Sequence, residues 1–299
     1  MVRILAPAKV NLFLRILARE DSGYHQLETL FAGVELADAI SLEEKGRGIS
    51  LESEGADLGP PEANLAYRAA AGFLELTGRD VGVRIRLAKR IPLQGGLGGG
   101  SSDAAATLKA LSVLFPGLVE PQDLLALAGR LGSDVPFFLA PSPFAMAWGR
   151  GDRLLTLPSL PRAPVLLALP PLGVPTPEAY RLLSLGRKGA ASAGASRLYV
   201  LGDFGSWEGI ADRAGNDFEE VIFRKYPLLG EIGRALAETR PLMSMLSGSG
   251  SSLFAVFRCE EEALEAQAHL QEELPDTRFL LTHSLEKTPD PNLHPGVEE

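Results

Sequence analysis

The chain has 299 residues, a length that suggests two domains. Of these residues 45% are hydrophobic and 22% charged, which is an ordinary composition for a globular protein. Its formal net charge of −9 disfavours a nucleic-acid partner, because an acidic surface repels the phosphate backbone. One cysteine and four widely spaced histidines argue against a disulfide framework and a structural metal site. No apolar stretch approaches the roughly 20 residues that span a membrane, and no signal peptide is evident, so we expect no membrane partner and a cytoplasmic location.

In the first half of the chain, hydrophobic periodicity predicts mixed strands and helices. The expected order is strands over 2–6, 12–17, 28–36 and 39–44, a helix from 65 to 76, a strand over 81–87, helices over 102–115 and 121–131, and strands over 144–148 and 153–157. Gly78 is a plausible end for the first helix, and Pro121 and Gly132 can begin and end the third.

A proline-rich stretch over 158–164 marks the predicted domain boundary. The segments expected beyond it are a strand over 165–169, a helix after Pro177, helices across 217–239, strands near 242–246 and 252–257, a helix over 260–273 and a strand over 278–283. The predicted domains are therefore 1–157 and 158–287, with a mobile loop over 186–197 and a disordered tail over 288–299. Because strands and helices mix without βα alternation, we expect an α+β fold.

A glycine-rich loop lies between a predicted strand and the helix that follows it. It runs through Gly95, Gly96, Leu97, Gly98, Gly99, Gly100, Ser101 and Ser102. Glycines let the backbone approach a ligand closely, and a helix N-terminus presents free N–H groups, so the two together bind phosphate. Neither the Walker A pattern nor the dinucleotide fingerprint fits this loop, and the two serines are also consistent with helix caps.

A second loop of small residues runs over 246–253, with Gly248, Ser249 and Gly250 at its centre. Between two apolar strands, such a sequence is usually a hairpin turn. Paired with the first loop, it would either close over phosphates or support that loop from the other domain.

Two charged residues are candidates for phosphoryl transfer, which requires positioning, neutralisation of charge and often a base for the attacking hydroxyl. Lys9 interrupts an apolar strand, and Asn11 lies on the same face two residues later. Asp134 follows a helix. A lysine whose head reaches water and an aspartate in a turn are the ordinary alternatives. As a pair, the carboxylate would accept a proton and the lysine would keep it ionised.

Aromatic residues near two turns indicate a site for a planar base. The turn that starts at Asp21 leads into Tyr24 and His25, and Tyr180 follows a second, proline-containing turn. A base stacked on Tyr24 would gain roughly 1–3 kcal/mol, and His25 would supply hydrogen bonds. A hairpin with a half-exposed tyrosine is the alternative interpretation.

In these segments the chain resembles the GHMP kinases, the family of galactokinase, homoserine kinase, mevalonate kinase and phosphomevalonate kinase. The resemblance rests on three motifs in order, Pro7-Ala-Lys9, the loop over 95–102 and Gly-Ser-Gly at 248–250. It implies an ATP-dependent small-molecule kinase of two domains. The first would be like domain 2 of ribosomal protein S5, and the second would be ferredoxin-like.

Longer matches resemble one branch of that family, in which the substrate carries a cytidine diphosphate group and belongs to non-mevalonate isoprenoid synthesis. They cover 7–14, 21–25, 64–68, 92–104, 131–136 and 175–177. The resemblance implies that ATP transfers a phosphoryl group to a hydroxyl of the polyol part of this substrate. A diphosphate on the substrate is compatible with an acidic chain that keeps a few local cations.

The same resemblance implies roles for single residues. Lys9 and Asp134 match the catalytic pair, and Asn11 matches a residue that holds the polyol. Tyr24 and Tyr180 would sandwich the cytosine, and His25 would bind its polar edge.

For the second substrate, the loop over 95–102 would bind the phosphates of ATP, with Asn64 and Lys89 on the adenine side and the 248–250 loop on the acceptor side. Mg²⁺ would accompany ATP, although no residue identifies itself as its ligand beyond Ser102 as a candidate.

Three alternatives remain open at this stage. A mevalonate- or homoserine-type kinase is disfavoured by Tyr24 and His25, since those substrates carry no base to stack. A nucleotide-binding protein without catalysis is disfavoured by the presence of both Lys9 and Asp134. A Rossmann-type oxidoreductase lacks its fingerprint. The sequence does not indicate an oligomeric state.

Overall fold

The computed structural model describes residues 1–20, 25–55, 57–186 and 199–293. The strands are β1 (Val2–Arg19), β2 (His25–Glu44), β3 (Ile49–Glu54), β4 (Val83–Ala88), β5 (Phe144–Gly149), β6 (Arg153–Thr156), β7 (Pro164–Leu169), β8 (Gly215–Asn216), β9 (Met243–Leu246), β10 (Leu253–Val256), β11 (Arg278–His283) and β12 (Asn292–Leu293). The helices are α1 (Leu65–Thr77), α2 (Gly99–Leu114), α3 (Pro121–Leu131), α4 (Val135–Leu139), α5 (Thr176–Gly186), α6 (Trp207–Ala211), α7 (Glu219–Lys225), α8 (Pro227–Glu238) and α9 (Glu260–Glu273).

The first sheet is built on the long antiparallel pair of β1 and β2, in the order β12-β1-β2-β4-β3. Residues 27–32 of β2 pair with β5, and residues 39–44 pair with β4, so one strand serves two partners. Sequence patterning divided each of these long strands in two. The register shifts between Pro7 and Ala8 and between Asn11 and Phe13 explain the break in β1, because a bulge disturbs the apolar alternation without ending the strand.

The change of face in β1 decides where its polar residues point. One core, beneath α1–α4, contains Val2, Ile4 and Ala6. A second core, between the two sheets, contains Ala8, Val10 and Leu12. Because alternate residues of a strand face opposite sides, the shift after Pro7 leaves Lys9 and Asn11 on the helix side.

The second sheet is antiparallel, in the order β11-β7-β10-β9, and it is covered on both faces. Val165 and Leu167 of β7 join the core between the sheets, whereas Leu166 and Ala168 join a third core that the C-terminal helices complete. Burial on both faces explains why β7 is apolar without alternation. The fold is thus α+β with two domains, as the sequence predicts.

The C-terminal segment returns to the first sheet. The sequence predicts a disordered tail from 288, but residues 288–293 are described, and β12 pairs with Val2 and Arg3 of β1. This pairing is long-range, so local composition does not reveal it. Residues 294–299 and most of the predicted 186–197 loop lie outside the described residues.

Short elements were also missed by sequence patterning, namely β3, α4, α6 and β8. Helices α4 and α6 have five residues each and β8 has two, which is too short for a periodic signal. Strand β3 has six residues, of which only Ile49 and Leu51 are apolar. None of the helices in the described part of the chain combines the length and hydropathy that a bilayer span requires.

Candidate active site

A cavity of about 330 Å³ lies where β1, the two glycine loops and α5 meet. Most of the residues singled out in the sequence line it, namely Lys9, Asn11, Lys89, Gly95, Gly96, Leu97, Gly98, Gly99, Gly100, Ser101, Asp134, Tyr180, Gly248 and Ser249. They come from segments far apart in the chain. The fold therefore gathers the glycine-rich, charged and aromatic candidates around one space.

Lys9 is buried at the centre of this site and is 4% exposed. Its Nζ donates hydrogen bonds to Asn11 Oδ1 at 2.6 Å and to the Gly96 carbonyl at 2.8 Å. Asp134 Oδ2 lies 3.7 Å from the same nitrogen. Burial lowers the pKa of Lys9, and the charge of Asp134 opposes that shift. The alternative in which the lysine head reaches water is therefore wrong.

Asp134 stands at the N-cap of α4 but makes no side-chain capping bond. Its side chain is 31% exposed and faces Lys9. Among the described residues that line the cavity, it is the sole carboxylate. This carboxylate lies beside a lysine, is open to the cavity and makes no bond to the helix N-terminus. It can therefore accept a proton from a bound hydroxyl.

The second glycine loop supports the first. Ser252 N donates to the Gly95 carbonyl at 3.1 Å, and Ser247 Oγ donates to the Gly96 carbonyl at 3.0 Å. Gly96 has φ +75°, and a Cβ there would lie 2.1 Å from the Ser247 carbonyl oxygen, so no larger residue fits.

The backbone of β1 also holds the first glycine loop, since Lys9 N donates to the Leu97 carbonyl at 3.0 Å. Helix α2 begins at Gly99, three residues before the predicted start at 102. The first N–H groups of a helix have no partner within it, so those of Gly99, Gly100 and Ser101 are suited to an anion in the cavity.

Thr29 belongs to this site but was missed by sequence reasoning. Its Oγ1 accepts from Asn11 Nδ2 at 2.8 Å and donates to the Phe13 carbonyl at 2.6 Å. The hydroxyl thereby fixes the Asn11 carboxamide with its oxygen toward Lys9. A threonine in an apolar strand is an ordinary strand former, so the sequence carried no signal for this contact.

Tyr180 forms the aromatic end of the cavity, where it packs against His25 and Phe218. His25 stacks on Tyr180, with ring centroids 4.6 Å apart and planes 24° apart, and Phe218 meets Tyr180 edge-on at 5.0 Å. Burial and the charge of Asp134 raise the pKa of Tyr180 to about 12, so its hydroxyl is neutral at ordinary pH. Tyr24 lies outside the described residues. One face of Tyr180 thus carries the imidazole of His25, and the stacking of a cytosine on Tyr180 stays a prediction.

Three predicted binding residues lie elsewhere. Ser102 is buried on α2, and its unpartnered Oγ lines a separate crevice of about 20 Å³. Asn64 caps α1, accepting from Ala66 N at 2.8 Å. Gly250 is buried within its turn. Their predicted contacts with ATP or substrate stay predictions, and the position of Ser102 speaks against it as a metal ligand.

Lys89 lines the cavity but its ammonium is already paired. Its Nζ lies against Asp38 Oδ2 and donates to Asp103 Oδ2 at 2.7 Å, and all three side chains are buried. Asp38 Oδ1 also accepts from the backbone of Arg90 and Ile91. Two carboxyls around one lysine leave an excess negative charge in the core. The pKa of Asp103 is raised to about 7, mainly because the carboxyl is buried and also because the charge of Asp38 lies nearby.

No group of three or more His, Cys, Asp or Glu side chains within the described ranges is placed to hold a metal ion. The carboxylate of Asp134 is the one acidic group that the described cavity wall offers to a cation. A protein-built metal cage is therefore not part of the described site.

Comparison with known proteins gives a consistent result. The "GHMP kinases N terminal domain" family matches residues 64–141, and the "GHMP kinases C terminal" family matches residues 195–276. The 4-diphosphocytidyl-2-C-methyl-D-erythritol kinase of Syntrophus aciditrophicus (strain SB) is 40% identical over 90% of this chain and 95% of its own length.

Solved structures agree with these matches. A crystal structure of 4-(cytidine 5'-diphospho)-2C-methyl-D-erythritol kinase has a TM-score of 0.78 and 38% identity, and covers 94% of this chain and 98% of its own. The homoserine kinase of Cytophaga hutchinsonii has a TM-score of 0.73 with 20% identity, covering 97% of both chains. The latter likeness concerns the fold alone.

The Asp38–Lys89–Asp103 cluster predicts a pH-dependent stability. The pKa of Asp103 is about 7 in the folded chain against an ordinary 3.8, so between these pH values the folded state binds the extra proton. Stability should therefore fall as pH rises through this window, by at most about 1.4 kcal/mol per pH unit. Urea unfolding between pH 4.5 and 7.5 measures this slope.

Asp103→Asn should remove that slope, because the amide cannot titrate. Asp80→Asn, at an exposed aspartate, is the control and should keep it. An Asp103→Asn protein with the wild-type slope would contradict the assignment.

Proposed function

Because the chain belongs to the GHMP kinase family, we propose that it transfers the γ-phosphoryl group of ATP to the 2-hydroxyl of 4-diphosphocytidyl-2-C-methyl-D-erythritol, releasing ADP. The close relatives that carry this activity in their names match nearly the full chain at 35–40% identity. The observation that carries the proposal is the pair of a buried Lys9 and a partly exposed Asp134, which lies between the first glycine loop and an aromatic end in one cavity.

The charges of the site suit an in-line transfer between two bound substrates. Asp134 would accept the proton of the acceptor hydroxyl as the new O–P bond forms. The Lys9 ammonium would neutralise charge on the transferring group. Asn11, fixed by Thr29, would orient the polyol.

ATP fits the side of the cavity that the first glycine loop forms. Its phosphates would lie against the N-terminus of α2, where free N–H groups favour an anion. Mg²⁺ is usually bound through one or two carboxylates together with substrate phosphates, and Asp134 is the carboxylate available here. The ion would offset the phosphate charge and would be carried mainly by ATP.

The cytidine end fits the side of the cavity that Tyr180 forms. A cytosine ring would stack on Tyr180 in place of the His25 imidazole, exchanging one stacked pair for another. His25, once displaced, would be free to hydrogen-bond the polar edge of the base. The part of Tyr24 in such a sandwich follows from the sequence resemblance alone, since this residue lies outside the described residues.

The acceptor is tested directly by an ADP-release assay with ATP and Mg²⁺. We expect turnover with 4-diphosphocytidyl-2-C-methyl-D-erythritol and none with mevalonate or homoserine, because neither of these offers a base to the aromatic end. Turnover with mevalonate or homoserine alone would keep the kinase and overturn the substrate. Silence with all three acceptors would favour a nucleotide-binding protein without catalysis.

Asp134→Asn should lower kcat by about 10²–10⁴, because the amide cannot accept the proton. The KM for both substrates should change little, since the shape of the cavity is kept. Asp123→Asn, in the first turn of α3 and exposed, is the matched control and should leave kcat unchanged. Near wild-type turnover of Asp134→Asn would exclude Asp134 as the base.

Tyr180→Ala should raise the KM for the cytidyl substrate about fivefold or more, because stacking of a base on an aromatic side chain contributes roughly 1–3 kcal/mol. The KM for ATP should stay the same. Tyr180→Phe keeps the ring and should behave like the wild type. An unchanged KM in the alanine variant would place the base elsewhere.

A further inference from the structure

The segment 215–219 connects β1 with the second glycine loop, and the sequence analysis predicted no site residue in it. Its first two residues form β8, which pairs in parallel with Phe13 and Leu14 of β1. The Asp217 N–H donates to the Leu14 carbonyl at 3.0 Å, and the Asp217 carboxylate accepts from Ile16 N at 2.8 Å. This segment is therefore attached to the same strand that carries Lys9 and Asn11.

Asn216 makes the contacts on the other side. Its Nδ2 donates to the carbonyls of Leu246 at 2.8 Å and Gly248 at 2.7 Å, and its Oδ1 accepts from Phe218 N at 2.9 Å. The side chain is buried, with 6% exposed. Two donors and an acceptor in one neutral group are what a carboxamide provides, so neither Asp nor Ser could make this set of bonds.

The carbonyl of Gly248 matters because this residue packs against the reactive lysine. A Cβ built on Gly248 would lie 3.4 Å from Lys9 Nζ and 3.2 Å from the Gly96 carbonyl oxygen. Its neighbour Ser247 donates to that same Gly96 carbonyl, which also accepts from Lys9. A shift of the turn by a fraction of an ångström would therefore move the partners of Lys9.

Glu219 completes the connection from the start of α7. Its Oε1 accepts from Leu246 N at 2.8 Å, so Asn216 and Glu219 hold both the N–H and the carbonyl of the residue that leads into the turn. Burial raises the pKa of Glu219. The segment thus binds β1 on one side and the end of β9 on the other.

We propose that Asn216 is a positioning residue for phosphoryl transfer, one that sets the place of the Ser247–Gly250 turn against Lys9 and the Gly96 carbonyl. Asn216 is not among the described residues that line the cavity. Asn216 holds the second glycine loop at a fixed distance from β1. Because the second loop bonds to the first, the first loop is held as well. This inference rests on the proposed function of the same site.

The test compares Asn216→Asp with Thr282→Val. The first change keeps the size of the side chain but directs carboxylate oxygens at two carbonyls. The second removes a buried acceptor for Leu36 N, at 3.0 Å, which also joins the second sheet to β2 but does so away from the cavity. Asn216→Asp should lower kcat at least tenfold, with both KM values within threefold. Thr282→Val should lower the melting temperature and keep kcat within twofold.

A second measurement reads the same contact without turnover. The rate at which acetic anhydride modifies Lys9, followed by peptide mass spectrometry, should rise at least threefold in Asn216→Asp and stay at the wild-type value in Thr282→Val. If Asn216→Asp does not fold, Asn216→Ser, which keeps the side chain neutral, replaces it in both experiments.

The outcomes separate this inference from the proposed function. A folded Asn216 variant with wild-type kcat and wild-type Lys9 reactivity would overturn the positioning role. A wild-type protein that fails to phosphorylate the cytidyl acceptor would count against the proposed function, while the Lys9 modification rates would still decide the role of Asn216.

Discussion

The burial of one ammonium group is the constraint on which the site depends. Removing a lysine head from water is costly unless oxygen atoms replace the lost hydration. Lys9 receives them from Asn11, from the carbonyl of Gly96 and, at longer range, from Asp134. These partners come from β1, from the first glycine loop and from the start of α4, so three separate elements together replace the water that the ammonium group loses.

The arrangement of the two sheets supplies that condition. The core between the sheets fixes β7, β9 and β10 against the first sheet, and the turn between β9 and β10 therefore lies against the first glycine loop. Backbone bonds from Ser252 to Gly95 and from Lys9 to Leu97 then join the loop to both domains. An apolar interface of this kind resists relative domain motion, which suits a site whose geometry must be kept to a fraction of an ångström.

Sequence patterning predicted features that a single segment carries, and it missed contacts that form only between segments far apart in the chain. Helix α9 and strand β11 lie at their predicted bounds. The glycine loop, Lys9 and Asp134, which the sequence indicates one segment at a time, line a single cavity in the structure, while their roles stay predictions. Thr29 was not predicted, because its role exists only through a partner strand. The pairing of His25 with Tyr180 could not be predicted either, since it joins residues more than 150 positions apart.

Lys9 and Lys89 both line the cavity, but the sequence does not show which of them can act on a substrate. Lys89 contacts the carboxyls of Asp38 and Asp103, so its positive charge is compensated within the protein. Lys9 has a single carboxylate at 3.7 Å, and its closest contacts are neutral oxygens. Its charge is therefore only partly compensated by the protein and remains available to a phosphoryl group. The count of carboxylates around each ammonium separates a lysine that stabilises the wall of the cavity from one that can act on a substrate within it.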